Sequence, residues 1–176
     1  MIKDVIGQRY AKALYEIAEE KENVMELYKD LKAVLDVYTE NEEFSNFINH
    51  PELTKNDRKK MLFRTFKENV NEESLMFLNY LIDKERLIYL DSISKEYLKI
   101  YYTKNNIIEV DATFSIEPNE GQKSRLKEKL KKMTSKEINL NVEIDKTILG
   151  GGILKIGDKI IDGSLKRQFE MLRTNL

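Results

Sequence analysis

The chain has 176 residues, a length suited to one domain of ordinary size or to two small ones. Its 30 basic and 31 acidic residues leave a formal net charge of −1, which argues against a general nucleic-acid binder with a strongly basic footprint. The absence of cysteine excludes a disulfide scaffold and a thiolate zinc site, and a single histidine argues against triad or metal–histidine chemistry.

Composition divides the chain near residue 104. Gly7 is the only glycine before that point, and all the others follow it. Residues 1–104 carry 17 basic and 20 acidic side chains, a net charge of −3, whereas residues 105–176 carry 13 and 11, a net charge of +2. A shift of this kind marks a domain boundary. We therefore expect an α+β protein in which an N-terminal six-helix bundle, 1–104, is followed by a small C-terminal α/β domain, 105–176.

Before the boundary, apolar residues recur at helical spacing in six segments. The segments start near Val5, Val24, Phe44, Thr54, Asn71 and Leu87. Thr54 followed by Asp57 resembles a capping box, and Asn71 precedes two glutamates that suit the positive end of a helix. The fifth segment is unusual because seven of the eight residues 75–82 are apolar. Such a helix is either wrapped by its own bundle or has a second apolar face for a partner, and the pattern leaves both open.

After the boundary the apolar period changes to two. Alternation predicts strands at 108–116 and 138–144, with a helix over 118–133 between them. Gly157-Asp158 indicates a two-residue hairpin turn between two further short strands. The apolar residues of a last amphipathic helix are Leu165, Phe169, Leu172 and Leu176.

Two features of the second half invite a catalytic reading that the residues do not support. The glycine run 150–152 lacks the Gly-Lys-Ser/Thr of a phosphate-binding loop, so we interpret it as a bend or a close backbone approach between strands. Asp145 and Asp162 follow predicted strands, where aspartate usually accepts hydrogen bonds from nearby backbone in a turn. We expect no catalytic residue, no metal ligand and no cofactor.

The most basic stretch is the predicted helix over 123–136. Its lysines spread around the helix with Glu128 among them, and no aromatic residue interleaves for base stacking. This pattern favours a solvated helix face. A small nucleic-acid-binding adaptor using this helix is the alternative function, and it predicts an affinity that falls steeply as salt rises.

Three segments together point to a family. They are Arg9-Tyr10-Ala11-Lys12-Ala13-Leu14, then Asp83-Lys84-Glu85-Arg86-Leu87, and a glycine-rich stretch over 142–164 that ends in Ile160-Ile161-Asp162-Gly163-Ser164. In this order and spacing they resemble the delta subunit of F-type ATP synthases, the family of the mitochondrial oligomycin-sensitivity-conferral protein. Two departures are small, because Glu85 stands where the family often has glycine and the glycine run is one residue longer than usual.

The resemblance implies a non-catalytic stator subunit that joins the catalytic head to the peripheral stalk. The N-terminal domain would grip the N-terminal helix of an alpha subunit between its first and fifth helices, and the C-terminal domain would hold the ends of b-type stalk subunits. Carried over by position, the groove residues are Tyr10, Ala13, Leu14 and Ile17 on one wall and Phe77, Tyr80 and Leu81 on the other. We expect Tyr10→Asp or Phe77→Asp to weaken alpha binding without unfolding the protein.

The sequence also bears on location. Residues 1–6 lack the apolar core of a signal peptide, and no apolar stretch approaches the roughly 20 residues that cross a bilayer. Together with the family resemblance, these features lead us to expect the protein at the cytoplasmic face of a bacterial cell membrane, attached peripherally through the ATP synthase complex.

Overall fold

The computed structural model describes residues 2–174, without the side chains of residues 2, 168, 172 and 174, and has an α+β fold. The chain divides into two compact units, one extending to Tyr101 and the other starting at Tyr102. The division falls inside the last helix of the first unit, whereas composition placed the boundary after that helix. Leu176 and the side chain of Leu172, both assigned to the last predicted helix, lie outside the described part.

Helices form the first unit. Their bounds are α1 (Ile2–Glu20), α2 (Val24–Glu40), α3 (Glu42–Asn49), α4 (Lys55–Phe66), α5 (Glu72–Asp83) and α6 (Leu90–Lys104). A short 3-10 helix, Leu87–Tyr89, precedes α6, so the expected start of a helix at Leu87 is wrong by one turn. Leu87 is buried, as its apolar character predicts. Apolar spacing indicates which side chains are buried, and it does not distinguish the tighter hydrogen bonding of a 3-10 turn from that of an α-helix.

The predicted N-terminal caps of α4 and α5 are confirmed. The Thr54 side chain accepts a hydrogen bond from the backbone N–H of Asp57, and the Asn71 side chain accepts one from that of Ser74. Asp30 of α2 reinforces the second cap, because its carboxylate accepts from the Asn71 N–H at 3.0 Å and from the Ser74 hydroxyl at 2.8 Å. The start of α5 is thereby held against α2.

The core of the first unit lies between the helices. Its largest fully buried side chains are Leu27, Leu31, Val34, Ile48, Leu62, Leu78, Leu81, Leu90, Ile93 and Tyr97. Helix α5 places Leu78, Leu81 and Ile82 in this core, while Met76 and Tyr80 are exposed on its other side. The bundle therefore leaves α5 partly unwrapped, with a second apolar face.

The second unit contains a four-stranded sheet in the order β2-β1-β3-β4. Its elements are β1 (Ile107–Phe114), α7 (Glu120–Thr134), β2 (Glu137–Ile144), β3 (Gly152–Ile156), β4 (Lys159–Asp162) and α8 (Leu165–Thr174). Strand β1 pairs in parallel with β2, and α7 connects the two strands along the chain. Strand β1 also pairs antiparallel with β3, and the predicted hairpin at Gly157-Asp158 joins β3 to β4. Strand β1 ends at Phe114, two residues before the expected end.

The glycine run brings two backbone segments together, as interpreted from the sequence. Gly163 donates its N–H to the carbonyl of Gly152 at 2.9 Å, and Leu165 donates to that of Gly150 at 3.0 Å. Gly151 has a φ of +81°, and a Cβ atom on it would lie 2.4 Å from the carbonyl oxygen of Gly163. The position therefore needs glycine both for its dihedral angle and for the space.

Gly151→Ala is expected to destabilise the second unit by about 3 kcal/mol, since a left-handed backbone costs an L-residue about 1–2 kcal/mol and a clash with backbone adds a similar amount. Gly157→Ala is the matched control, because Gly157 also has a left-handed φ, +58°, but a Cβ there would meet nothing within 4 Å. Amide hydrogen exchange of β1 and β3 measures the loss of stability in each of the two variants. Equal losses of protection in the two variants would contradict the close-approach argument.

Candidate helix-binding groove

Helices α1 and α5 border a groove of about 680 Å³. Its lining residues are Arg9, Tyr10, Ala13, Leu14, Ile17, Lys21, Glu73, Met76, Phe77, Tyr80, Lys84 and Arg86. The structure thus brings together six of the seven residues assigned to a groove from the sequence. The seventh, Leu81, does not line it.

Leu81 is fully buried in the core of the first unit, so its assignment to the groove wall is wrong. The reason is the rotation of about 100° between successive residues of an α-helix. Tyr80 shares the groove side of α5 with Phe77, three positions earlier, whereas Leu81 shares the core side with Leu78. An apolar run that covers nearly the whole helix gives little indication of which side faces inward.

The α1 wall has an exposed rim and a buried floor. Ala13 and Ile17 are exposed, with Ile17 retaining 48% of its accessible surface, while Leu14 is buried. Ile17 and Ala13 are four residues apart and so lie on one face of the helix. These two side chains offer apolar surface to an occupant without belonging to the core.

Tyr10 joins the two walls. Its ring lies 6.4 Å from that of Phe77 and 6.1 Å from that of Tyr80, between ring centroids. Its hydroxyl accepts a hydrogen bond from Arg86 at 2.8 Å, and the Arg86 guanidinium carbon lies 5.3 Å from the Tyr10 ring centroid. Because Tyr10 is only 9% exposed, a carboxylate in its place would be buried and would destabilise the bundle. We therefore expect Tyr10→Asp to destabilise the fold, contrary to the expectation from the sequence that it leaves the fold intact.

Sequence reasoning missed Met76 and the charged residues of the groove. Met76 is 60% exposed, and it lies three or four positions from Glu73 and Tyr80 on one face of α5. That spacing could have identified both Glu73 and Met76. Lys84 and Arg86 follow the end of α5, so helical periodicity could not have placed them at the groove.

An ion pair links the C-terminal end of α1 to the first turn of α5. Lys21 Nζ lies 2.7 Å from Glu73 Oε1. The hydrogen bond from Lys21 lowers the pKa of the Glu73 carboxyl below its ordinary value. Glu73 is therefore ionised near neutral pH, and this end of the groove carries a compensated pair of charges.

The aspartates considered for acid–base chemistry are turn residues, as the sequence indicated. Asp145 accepts hydrogen bonds from the hydroxyl and backbone N–H of Thr147, and Asp162 accepts one from the backbone N–H of Ser164. Hydrogen bonds from the side chains of Thr147 and Ser164, and then from their backbone N–H groups, lower the pKa of the Asp145 and Asp162 carboxyls. Within residues 2–174 no group of histidines and carboxylates is placed to hold a metal ion.

The basic helix α7 is partly neutralised by glutamates. Lys123 Nζ lies 3.0 Å from a carboxylate oxygen of Glu120 and 3.6 Å from one of Glu117, and Lys131 pairs with Glu137. These contacts fit a solvated helix face. In the described part of the chain, no helix has both the length and the apolar character that spanning a bilayer requires.

A helical unit with an apolar groove between two helices, followed by a small α/β unit, is the kind of architecture found in adaptors that bind partners through their surfaces. Residues 6–176 match the family described as the ATP synthase delta (OSCP) subunit. The chain belongs to this family, and it is a non-catalytic structural subunit of the F-type ATP synthase with a role in the stator.

Bacterial relatives match along nearly their whole length. The chain is 48% identical over 172 residues to the ATP synthase subunit delta, sodium ion specific, of Propionigenium modestum, covering 98% of both chains. It is 49% identical over 173 residues to ATP synthase subunit delta of Fusobacterium nucleatum, covering 98% of this chain and 99% of that one. A chain in the cryo-EM structure of the Toxoplasma gondii mitochondrial ATP synthase hexamer shares the fold, with a TM-score of 0.70, 19% identity and 96% coverage of both chains.

Proposed function

We propose that the groove between α1 and α5 binds the N-terminal helix of the ATP synthase alpha subunit, with Tyr10, Ala13, Leu14 and Ile17 on one side and Phe77 and Tyr80 on the other. The apolar groove itself carries this proposal. The N-terminal domain, 1–104, would then hold the catalytic head.

The dimensions of the groove suit a helix. The groove-lining residues from Arg9 to Lys21 are twelve residue steps apart, about 18 Å at 1.5 Å per step, which accommodates roughly three turns of a partner helix. Phe77 and Tyr80 provide aromatic anchors of the kind that carry much of the energy in protein interfaces. A joint that resists rotor torque needs slow dissociation, and well-packed apolar contacts favour it.

The C-terminal domain, 105–176, is proposed to hold the ends of the b-type stalk subunits. It presents apolar side chains to solvent, among them Ile116, Leu149 and Phe169. Apolar surface of this kind suits burial against a partner. With both joints made, the protein would sit peripherally at the cytoplasmic face of the bacterial cell membrane, connected to it through the complex.

Calorimetric titration of the full chain tests the head joint. The probe is a synthetic peptide of about 25 residues from the N-terminus of the alpha subunit of the same organism. We expect saturable one-to-one binding with a negative heat-capacity change, because apolar surface is buried. The largest changes in NMR chemical shift during the titration should occur at residues of α1 and α5. Absence of binding, or shifts confined to the second unit, would overturn the proposal.

The stalk joint has its own experiment. The soluble part of the b subunits is titrated into the full chain, once free and once saturated with the alpha peptide. Separate sites predict the same affinity in both titrations. Competition between the two ligands would contradict the assignment of one partner to each domain.

A further inference from the structure

We infer that the groove is electrostatically polar, and that its occupant is an amphipathic helix carrying at least one carboxylate that meets a basic end formed by Arg9, Lys84 and Arg86. This inference rests on the proposed function, since it specifies the chemistry of the helix that the groove binds. It concerns selection among helices, which apolar contacts alone do not provide.

The two ends of the groove differ in net charge. Lys21 and Glu73 neutralise each other at one end. At the other end, Arg86 hydrogen-bonds to the Tyr10 hydroxyl, and Lys84 Nζ lies 5.5 Å from the centroid of the Tyr80 ring. Tyr10 on α1 and Lys21, directly after its last residue, are eleven residues apart, so the two ends are separated by about 16 Å. Over that distance in physiological salt, the charges of one end are largely screened from the other.

In the turn after α5, the acidic side chains face α4 and the basic side chains face the groove. Asp83 and Glu85 turn toward α4, where Asp83 pairs with Lys59 at 2.6 Å and Glu85 with Lys55 at 3.2 Å. The intervening Lys84 and the following Arg86 turn toward the groove instead. The acids of the segment are therefore engaged on α4, and its two cations remain at the groove.

Arg9 adds a third cation with no acidic neighbour on its own helix. The positions three and four residues away along α1 are Val5, Ile6, Lys12 and Ala13, none of them acidic. Within residues 2–174 no carboxylate pairs with Arg9 or Lys84. Three positive charges at one end of an apolar groove are complementary to a negative residue beside the apolar stripe of a partner helix.

The test compares two double variants of equal charge change. Arg9→Gln/Lys84→Gln removes two cations from the groove end, and Lys12→Gln/Lys29→Gln removes two exposed lysines that do not line the groove. At low salt we expect the groove variant to bind the alpha peptide about tenfold more weakly, and the control to change by less than about twofold. Raising the salt from about 50 to 500 mM should weaken wild-type binding several-fold and the groove variant much less.

A peptide with its carboxylates changed to amides locates the interaction. Wild-type protein should bind this peptide about tenfold more weakly than the original, whereas the groove variant should bind both peptides alike. If Arg9→Gln/Lys84→Gln binds as wild type does while Ile17→Asp weakens binding strongly, the charge inference is wrong and the proposed function stands. If Ile17→Asp also has no effect, the proposed function itself is wrong.

Discussion

Ile17→Asp is expected to weaken binding of the alpha N-terminal peptide by roughly 30- to 150-fold, equivalent to about 2–3 kcal/mol. Ile17 lies in the middle of the α1 wall and is half exposed, so the carboxylate reaches solvent in the free protein and is buried against apolar surface only when the groove is occupied. Desolvating the charge therefore raises the free energy of the complex and leaves that of the free protein unchanged. Calorimetry with the full chain measures the change.

Val5→Asp is the matched control for this substitution. Val5 is also β-branched, lies on the same helix and is 68% exposed, but it does not line the groove. We expect its affinity for the peptide to stay within about twofold of wild type, and both variants to keep the wild-type circular dichroism spectrum. Equal weakening by the two substitutions would place the binding surface somewhere other than the groove.

Tyr97→Ala is expected to cost the first unit about 3–5 kcal/mol, which is a large part of the stability of an ordinary domain. The Tyr97 side chain is fully buried, and its ring centroid lies 5.2 Å from that of Tyr15 and 6.3 Å from that of Tyr28. Its hydroxyl donates a hydrogen bond to the carbonyl of Val24 at 2.9 Å. Burial raises the pKa of the Tyr97 hydroxyl well above its ordinary value, so the hydroxyl stays protonated and can donate this hydrogen bond near neutral pH.

Tyr97→Phe separates the ring from the hydroxyl. Removing only the oxygen leaves the Val24 carbonyl without this donor and should cost about 1 kcal/mol. Urea unfolding followed by circular dichroism at 222 nm measures both variants, because helices dominate the first unit. If Tyr97→Ala cost no more than Tyr97→Phe, the packing of the three tyrosine rings would not be what stabilises the bundle.

The two faces of α5 explain how one helix serves both stability and binding. Leu78, Leu81 and Ile82 anchor it in the core, and the contacts of Asp30 hold its first turn against α2. With the helix fixed in this way, Met76 and Tyr80 can remain exposed without loss of the fold. A rigid wall of this kind reduces the ordering cost of binding a helix.

Features that depend on neighbouring residues along the chain could be predicted without the structure. Thr54 and Asn71 cap helices because a short polar side chain reaches backbone N–H groups only a few residues away. Gly157-Asp158 joins two strands because local turn chemistry specifies a hairpin. The family resemblance also rested on short segments of the chain. It implied seven groove positions, and the structure brings six of them together.

The orientation of α5 and the charge of the groove could not be predicted from neighbouring residues. An apolar run over 75–82 is compatible with several rotations of the helix, so the choice of Leu81 for the core and Met76 for the groove depended on how α5 packs in the bundle. The 3-10 turn at 87–89 and the separation of Asp83 and Glu85 from Lys84 and Arg86 likewise depend on where α4 and α1 lie. Contacts between residues distant in sequence decide these features, and local periodicity contains no information about them.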